Sequence, residues 1–291
     1  MCDQHFEDDL KDYVARGAVT RRQFGALSLG AGMAALLPRA VNALAVTESE
    51  VTVKTPDGQA DCYFVHPSSG AYAGVLIWPD ILGLRPAFRQ MGKRLAESGY
   101  SVLVVNPFYR QKRAPVAPPG ASFSDPAIRN LVMPLAQALN ATTQLTDAKA
   151  FVAFLDTQAA VDKKRKIGTM GYCMGGPITM RTAAAVPARV GAGASFHGAG
   201  LVTKQPDSPH LLVPGMKAQY LFAIAENDDQ REPDSKAVLK ETFAKAGLPA
   251  EIEVYAGAAH GWCPPDSAVY NEAQAERAWS RMLVLFGKAL A

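Results

Sequence analysis

Cysteine is scarce in this chain: four in 291 residues, none of them in a C-x-x-C pair. That number is too small for a disulfide scaffold. An excess of one charge is also missing. Thirty Lys+Arg against 27 Asp+Glu leave a net +3, which gives no argument for nucleic acid as a partner. There is no internal repeat, and 24 Gly with 20 Pro exclude collagen-like, low-complexity and solenoid chains. Past residue 45, charge, Gly or Pro breaks every apolar run before it reaches transmembrane length. What remains is 48% hydrophobic, enough for a sizeable core in one large domain or two ordinary ones.

The first 45 residues read differently from the rest. A polar, acidic stretch leads to Thr20-Arg21-Arg22-Gln23-Phe24, then to an apolar run of small residues from Gly25 to Leu37. Val41-Asn42-Ala43 and Ala43-Leu44-Ala45 both offer small residues for cleavage. Charged start, short apolar run and small-residue exit predict a signal peptide over 1–45, and the paired arginines resemble a twin-arginine (Tat) export signal. Export machinery is then a partner of the precursor, and a periplasmic or otherwise exported location follows. An uncleaved anchor or an amphipathic helix are the alternatives. The 13-residue run would cover only ~20 Å of a ~30 Å hydrocarbon core.

From Val46 onward strands and helices alternate. Glu50–Thr55 and Ala60–His66 flank a Pro-Asp-Gly turn and predict a hairpin. Gly74–Pro79 and Tyr100–Asn106 are continuous apolar runs, as expected of strands buried on both faces. Further strands are predicted at Lys166–Met170, Val190–Phe196, Gln219–Ala225 and Glu251–Tyr255, with helices between and after them. Long loops are expected at 107–126 and 197–218. Repeated βα units predict an α/β fold, a mostly parallel central sheet with helices on both faces, over 46–291 as one domain.

Gly171-Tyr172-Cys173-Met174-Gly175-Gly176 has the G-x-nucleophile-x-G spacing of a nucleophile elbow, with Cys in the usual Ser place. Such a turn projects the nucleophile from a sheet edge and aims the next N–H, here of Met174, at a developing oxyanion. An acid and a histidine should follow in that order, each after a strand. Glu226-Asn227-Asp228-Asp229 follows one predicted strand, and His260-Gly261-Trp262 lies just past another. Asp228 is the favoured acid, with Asp229 as the alternative.

Together these residues resemble the dienelactone hydrolase family, and the likeness runs over essentially all of 50–290. Asp80-Ile81-Leu82-Gly83 is similar to the family's acidic-Ile-x-Gly loop, and Tyr109-Arg110-Gln111 to its Arg-bearing loop. The resemblance implies an α/β-hydrolase fold and a Cys173–His260–Asp228 triad. It puts the second oxyanion N–H on Ile81 and makes Arg110 a contact for a substrate carboxylate. Asp80 stands where the family type enzyme has a thiol-activating Glu, one methylene longer. A second substrate-binding Arg of that enzyme, which opens a dienelactone to maleylacetate, is replaced here by Pro264.

For Arg110 the plain alternative is a surface cation, for Asp80 a helix cap, and for Trp262 either core packing or a pocket wall. His197 ends a strand and is a further pocket candidate. The predicted chemistry is cleavage of a small ester or lactone, one that can bear a carboxylate, through a thioester on Cys173. It calls for no metal or organic cofactor. A broader carboxylesterase or thioesterase is the first rival. A non-enzymatic metal- or ligand-binding protein using His260 and Cys263 with His197 or His210 is the second, and it leaves the elbow unexplained. With Cys2 in the leader, Cys62 and Cys263 remain, and their pairing stays open.

Overall fold

A computed structural model describes residues 43–291. The leader expected over 1–45 lies, apart from its last three residues, outside the described residues. Eight strands form one sheet in the order β1-β2-β4-β3-β5-β6-β7-β8. They are β1 (Val46–Thr55), β2 (Gly58–Pro67), β3 (Gly74–Trp78), β4 (Ser101–Val105), β5 (Ile167–Tyr172), β6 (Val190–Phe196), β7 (Gln219–Ala225) and β8 (Ala250–Tyr255). The β1–β2 hairpin joins the sheet antiparallel, through β4. From β4 to β8 every pairing is parallel. This is the mostly parallel sheet expected from the βα alternation, in the α/β-hydrolase arrangement that the family resemblance implies.

The helices are α1 (Pro86–Glu97), α2 (Pro126–Gln137), α3 (Ala141–Thr157), α4 (Gly175–Ala185), α5 (Glu226–Arg231), α6 (Ser235–Lys245) and α7 (Glu272–Ala289). The central strands serve both faces by simple alternation. Val75 and Ile77 point into one core with Phe88 and Leu95 of α1 and Met282 and Phe286 of α7. Leu76 and Trp78 point into the other, with Phe151 and Leu155 of α3 and Ile178 of α4. A third cluster joins Met180 of α4 to Leu239 and Phe243 of α6 over Tyr220 and Phe222. Cys62 belongs to the α3 side and Cys263 to the α1–α7 side, so the sheet separates them and both are free thiols. Burial pushes both thiols far up from their ordinary ionisation range.

Strand order places the site. β3 has β4 on one side and β5 on the other, so the order reverses there, and Trp78 pairs with Gly171. Ligands of open α/β sheets bind beyond the carboxyl ends of the strands at such a reversal. Two short helical segments are not among the predicted elements. Residues 226–231 form the short helix α5, whose first turn carries Glu226, Asp228 and Asp229 where the helix dipole favours negative charge. Pro209–Gly215 is a 3₁₀ turn within the second long loop.

The strand-to-helix turn depends on bare Cα atoms. A Cβ on Gly171 would lie 2.1 Å from the Gly175 carbonyl oxygen, and one on Gly175 would lie 2.3 Å from the Trp78 carbonyl oxygen. Both obstacles are backbone, which cannot swing aside. Gly171→Ala should therefore lose about 3 kcal/mol or more, or fail to accumulate as soluble protein. Gly287→Ala, on the exposed side of α7 with open space around it, should gain about 0.5–1 kcal/mol. Thermal denaturation of the two variants checks the pair; an unchanged melting temperature in Gly171→Ala would contradict the packing described.

Candidate active site

Cys173 takes up the whole reversal between β5 and α4. Its φ is +52°, a left-handed value that is uncommon outside glycine. Hydrogen bonds over-determine this conformation. The Cys173 N–H donates to the Phe196 carbonyl at 3.1 Å, and its carbonyl accepts from Gly176 N–H at 3.0 Å. The side chain is 7% exposed at the carboxyl edge of the sheet. The N-terminus of α4 follows directly, so its partial positive charge faces anything negative formed at the sulfur.

Met174 and Ile81 flank this turn. Ile81 lies in the turn after β3, and both residues belong to an apolar cluster with Phe108, Val116, Ile128 and Val132. The loop at 107–126 and helix α2 thus cover the two positions expected to hold the oxyanion.

His260 and Asp228 are brought together as predicted. Asp228 Oδ2 lies 2.7 Å from His260 Nδ1, and both side chains are about nine-tenths buried. With Nδ1 donating to the carboxylate, Nε2 becomes the nitrogen able to exchange a proton with the site. Asp229 turns away and pairs with Lys236 at 2.6 Å. The two neighbouring acids are therefore distinct: one orients an imidazole and the other anchors α6.

Two residues not singled out in the sequence complete this arrangement. Asn227 Oδ1 accepts the His260 N–H at 2.8 Å, and Glu226 Oε2 accepts the Gly257 N–H at 2.8 Å. Three consecutive side chains of one turn thus hold the loop that carries the histidine. Their position between a strand end and Asp228 was the available signal.

The auxiliary residues Asp80, Arg110 and Trp262 each have protein partners of their own. Asp80 accepts the Leu82 N–H at 2.9 Å, capping its own turn, and both its oxygens bind Arg85 at 2.7 and 2.9 Å. Arg85 also binds Asp266, at 2.7 and 3.0 Å. Asp80 is thus one arm of an Asp–Arg–Asp cluster, its charge already compensated.

Arg110 is held likewise. Its guanidinium grips Asp147 through two bonds of 2.7 Å and reaches Asp57 at 3.0 Å. Asp147 is almost fully buried and also accepts from the Tyr109 hydroxyl at 2.8 Å. Burial raises its pKa, with Arg110 and Tyr109 opposing that rise. As a contact for a substrate carboxylate, Arg110 would have to leave two carboxylates that already neutralise it. Trp262 resolves toward packing. It has no exposed surface and stacks on Tyr255 at 5.4 Å, so it offers no face to a substrate.

Among the described residues no cluster of three or more His, Cys, Asp and Glu side chains could hold a metal ion. Cys263 is buried in the α1–α7 core, and His210 Nδ1 is 2.7 Å from the Ser208 hydroxyl. The ligand set imagined for a metal-binding rival is not assembled.

The chain is 27% identical to the "Putative carboxymethylenebutenolidase" of Methylorubrum extorquens, over 95% of this chain and 96% of that protein. It is 26% identical to the carboxymethylenebutenolidase of Rhodococcus opacus, over 78% of this chain and 86% of that one. Among solved structures, the "Putative Dienelactone Hydrolase" of Klebsiella pneumoniae superposes with a TM-score of 0.72. That match has 23% identity and covers 84% of this chain and 99% of the other, a likeness of fold. Residues 60–290 match the dienelactone hydrolase family, so the chain belongs to that family of ester- and lactone-cleaving hydrolases.

Proposed function

We propose that the protein hydrolyses a small ester or lactone through a Cys173–His260–Asp228 triad and a thioester intermediate. The observation that carries this reading is the 2.7 Å Asp228–His260 bond at the sheet edge where Cys173 holds φ +52°. The Cys173 thiolate attacks the carbonyl carbon, and the N–H groups of Met174 and Ile81 receive the oxyanion. As the tetrahedral adduct collapses, the C–O bond breaks and the His260 imidazolium gives its proton to the leaving alkoxide. Water then attacks the thioester, losing its proton to His260. A second collapse releases the acid and restores the thiol–imidazole pair. Asp228 keeps the imidazole in one tautomer throughout.

One observation favours a neutral ester over a carboxylate-bearing lactone. Arg110 is compensated by Asp57 and Asp147, and Arg85 by Asp80 and Asp266. Extracting either guanidinium to meet a substrate carboxylate would leave a carboxylate unpaired, Asp147 in a buried position. The carboxylesterase reading therefore stands beside the dienelactone one.

Export is part of the same proposal, supported by the leader's paired arginines and small-residue exit. Cleavage after Ala43 suits the fold better than cleavage after Ala45. The Leu44 N–H donates to the Glu97 carbonyl at 3.0 Å, and the Ala45 carbonyl accepts from the Ser68 N–H at 2.8 Å. The later cut would remove both bonds.

With p-nitrophenyl acetate, Cys173→Ala should lose activity by roughly 10³-fold or more, and Asp228→Ala by roughly 10²–10⁴-fold. Asp229→Ala should stay within about threefold of the parent, because it anchors α6 and not the histidine. Full activity in Cys173→Ala would end the triad reading. Mass spectrometry of quenched turnover should find the acyl group on the peptide carrying Cys173.

p-Nitrophenyl butyrate should be cleaved about tenfold or more faster than its succinate half-ester counterpart. The reverse order would return Arg110 to substrate binding. Intact mass of protein recovered from the periplasm should begin at Leu44, and Arg21-Arg22→Lys-Lys should keep the precursor inside; unchanged export would defeat the twin-arginine assignment.

A further inference from the structure

His197 directly follows β6 at the sheet edge that carries Cys173 and the Asp228 turn. Its N–H donates to the Ala223 carbonyl of β7 at 2.8 Å, and its φ is +39°. The ring has no exposed surface, and neither nitrogen has a hydrogen-bond partner among the described residues. It stands edge-to-face against His260, with ring centres 5.1 Å apart and planes at 71°. It meets Trp262 in the same manner, at 5.1 Å and 61°. Tyr255 stacks on Trp262 at 5.4 Å. His197 thus joins the His260 ring to a cluster of buried aromatic rings.

Three costs coincide at this residue: a left-handed backbone, complete burial of a polar ring, and two unpartnered nitrogens. A residue chosen only to fill the space would avoid at least the last two. Their packing against His260 points to what the ring does. The bond from Asp228 to Nδ1 fixes one point of the His260 imidazole, and one hydrogen bond does not by itself set the plane of a ring. A flat ring packed edge-to-face bears directly on that plane. We propose that His197 is a positioning residue that sets the plane of the His260 imidazole, an inference that rests on the triad reading above.

His197 can serve beside either charge state of His260 because it stays neutral itself. Burial, and then the charge of His260, hold its pKa well below the ordinary value. Tyr172, at 5.9 Å, and His260 are the titratable rings packed against it. The further charged groups on the element that meets His260 are Glu226, Asp228, Asp229 and Arg231 of α5, with Cys173 on the elbow at the same sheet edge.

His197→Leu keeps the apolar volume without the plane, and His197→Phe keeps the plane without the nitrogens. With p-nitrophenyl acetate, His197→Leu should lower kcat about 10–100-fold while KM moves by less than about threefold. The acid limb of its pH–rate profile, and that of iodoacetamide alkylation at Cys173 resolved by peptide, should shift. His197→Phe should restore kcat to within about threefold of the parent. It should also lose less stability on acidification. A folded-state pKa below the ordinary 6.5 means the parent is fully stable above about pH 6.5 and loses stability as the pH falls, whereas Phe has no proton to bind.

A folded His197→Leu with parental kcat and an unmoved acid limb would overturn the proposal, as would His197→Phe that fails to restore kcat. If neither variant folds, His197 serves folding alone and the proposal falls. His260→Ala separates this from the underlying reading. If that variant keeps hydrolysis and parental alkylation of Cys173, the triad itself has failed. If His260→Ala is inactive and His197→Leu is not, only the role of His197 is lost.

Discussion

The close approach of three backbone segments, at Trp78, Gly171 and Gly175, is the constraint on which the site depends. The carbonyl oxygens of Trp78 and Gly175 occupy the space where side chains would begin. This proximity lets β5 turn into α4 over one left-handed residue, and it brings the turn after β3 against the elbow. Ile81, Met174 and Cys173 are neighbours because two glycines have no Cβ. The parallel pairing of Trp78 with Gly171 supplies the frame, and the strand order reverses at β3 beside it.

Around that frame, electrostatics divides into two kinds. Asp228 meets His260 at 2.7 Å through Oδ2 and Arg231 at 3.5 Å through Oδ1, a placement suited to orienting the imidazole. Arg85 and Arg110 are each shared between two carboxylates and tie distant segments together: the β3 turn to Asp266, and the hairpin turn to α3. Such partly buried networks hold geometry; removing one arm leaves a buried charge without its partner. Ile81 and Met174 sit in an apolar cluster with Phe108, Val116, Ile128 and Val132, and a hydrogen bond made in such low-dielectric surroundings is stronger than one made in water.

Most of the architecture was legible because its signals are local. Apolar runs such as Gly74–Trp78 and Ser101–Val105 lack the alternation of a half-exposed strand and mark burial on both faces. The elbow was legible from glycine spacing, and the acid and histidine from their order after strands. The short helix at 226–231 was not, since six polar residues carry no apolar period, and its stability comes from the negative first turn and the bonds to the 257–260 loop.

Charge pairing across the fold was illegible for a different reason. Asp57, Asp147 and Asp266 lie 53, 37 and 181 residues from their arginines, and no periodicity records such a meeting. The sequence by itself determined the βα order, the nucleophile turn and the chain order of acid and histidine, because each depends on spacing within a few residues of a strand end. Only the tertiary structure decided which aspartate meets His260, that Cys62 and Cys263 lie on opposite faces of the sheet, that Arg110 and Asp80 are already paired, and that His197 packs against the imidazole. Those outcomes depend on distances between segments far apart in the chain, which are set when the sheet closes and the helices pack on it.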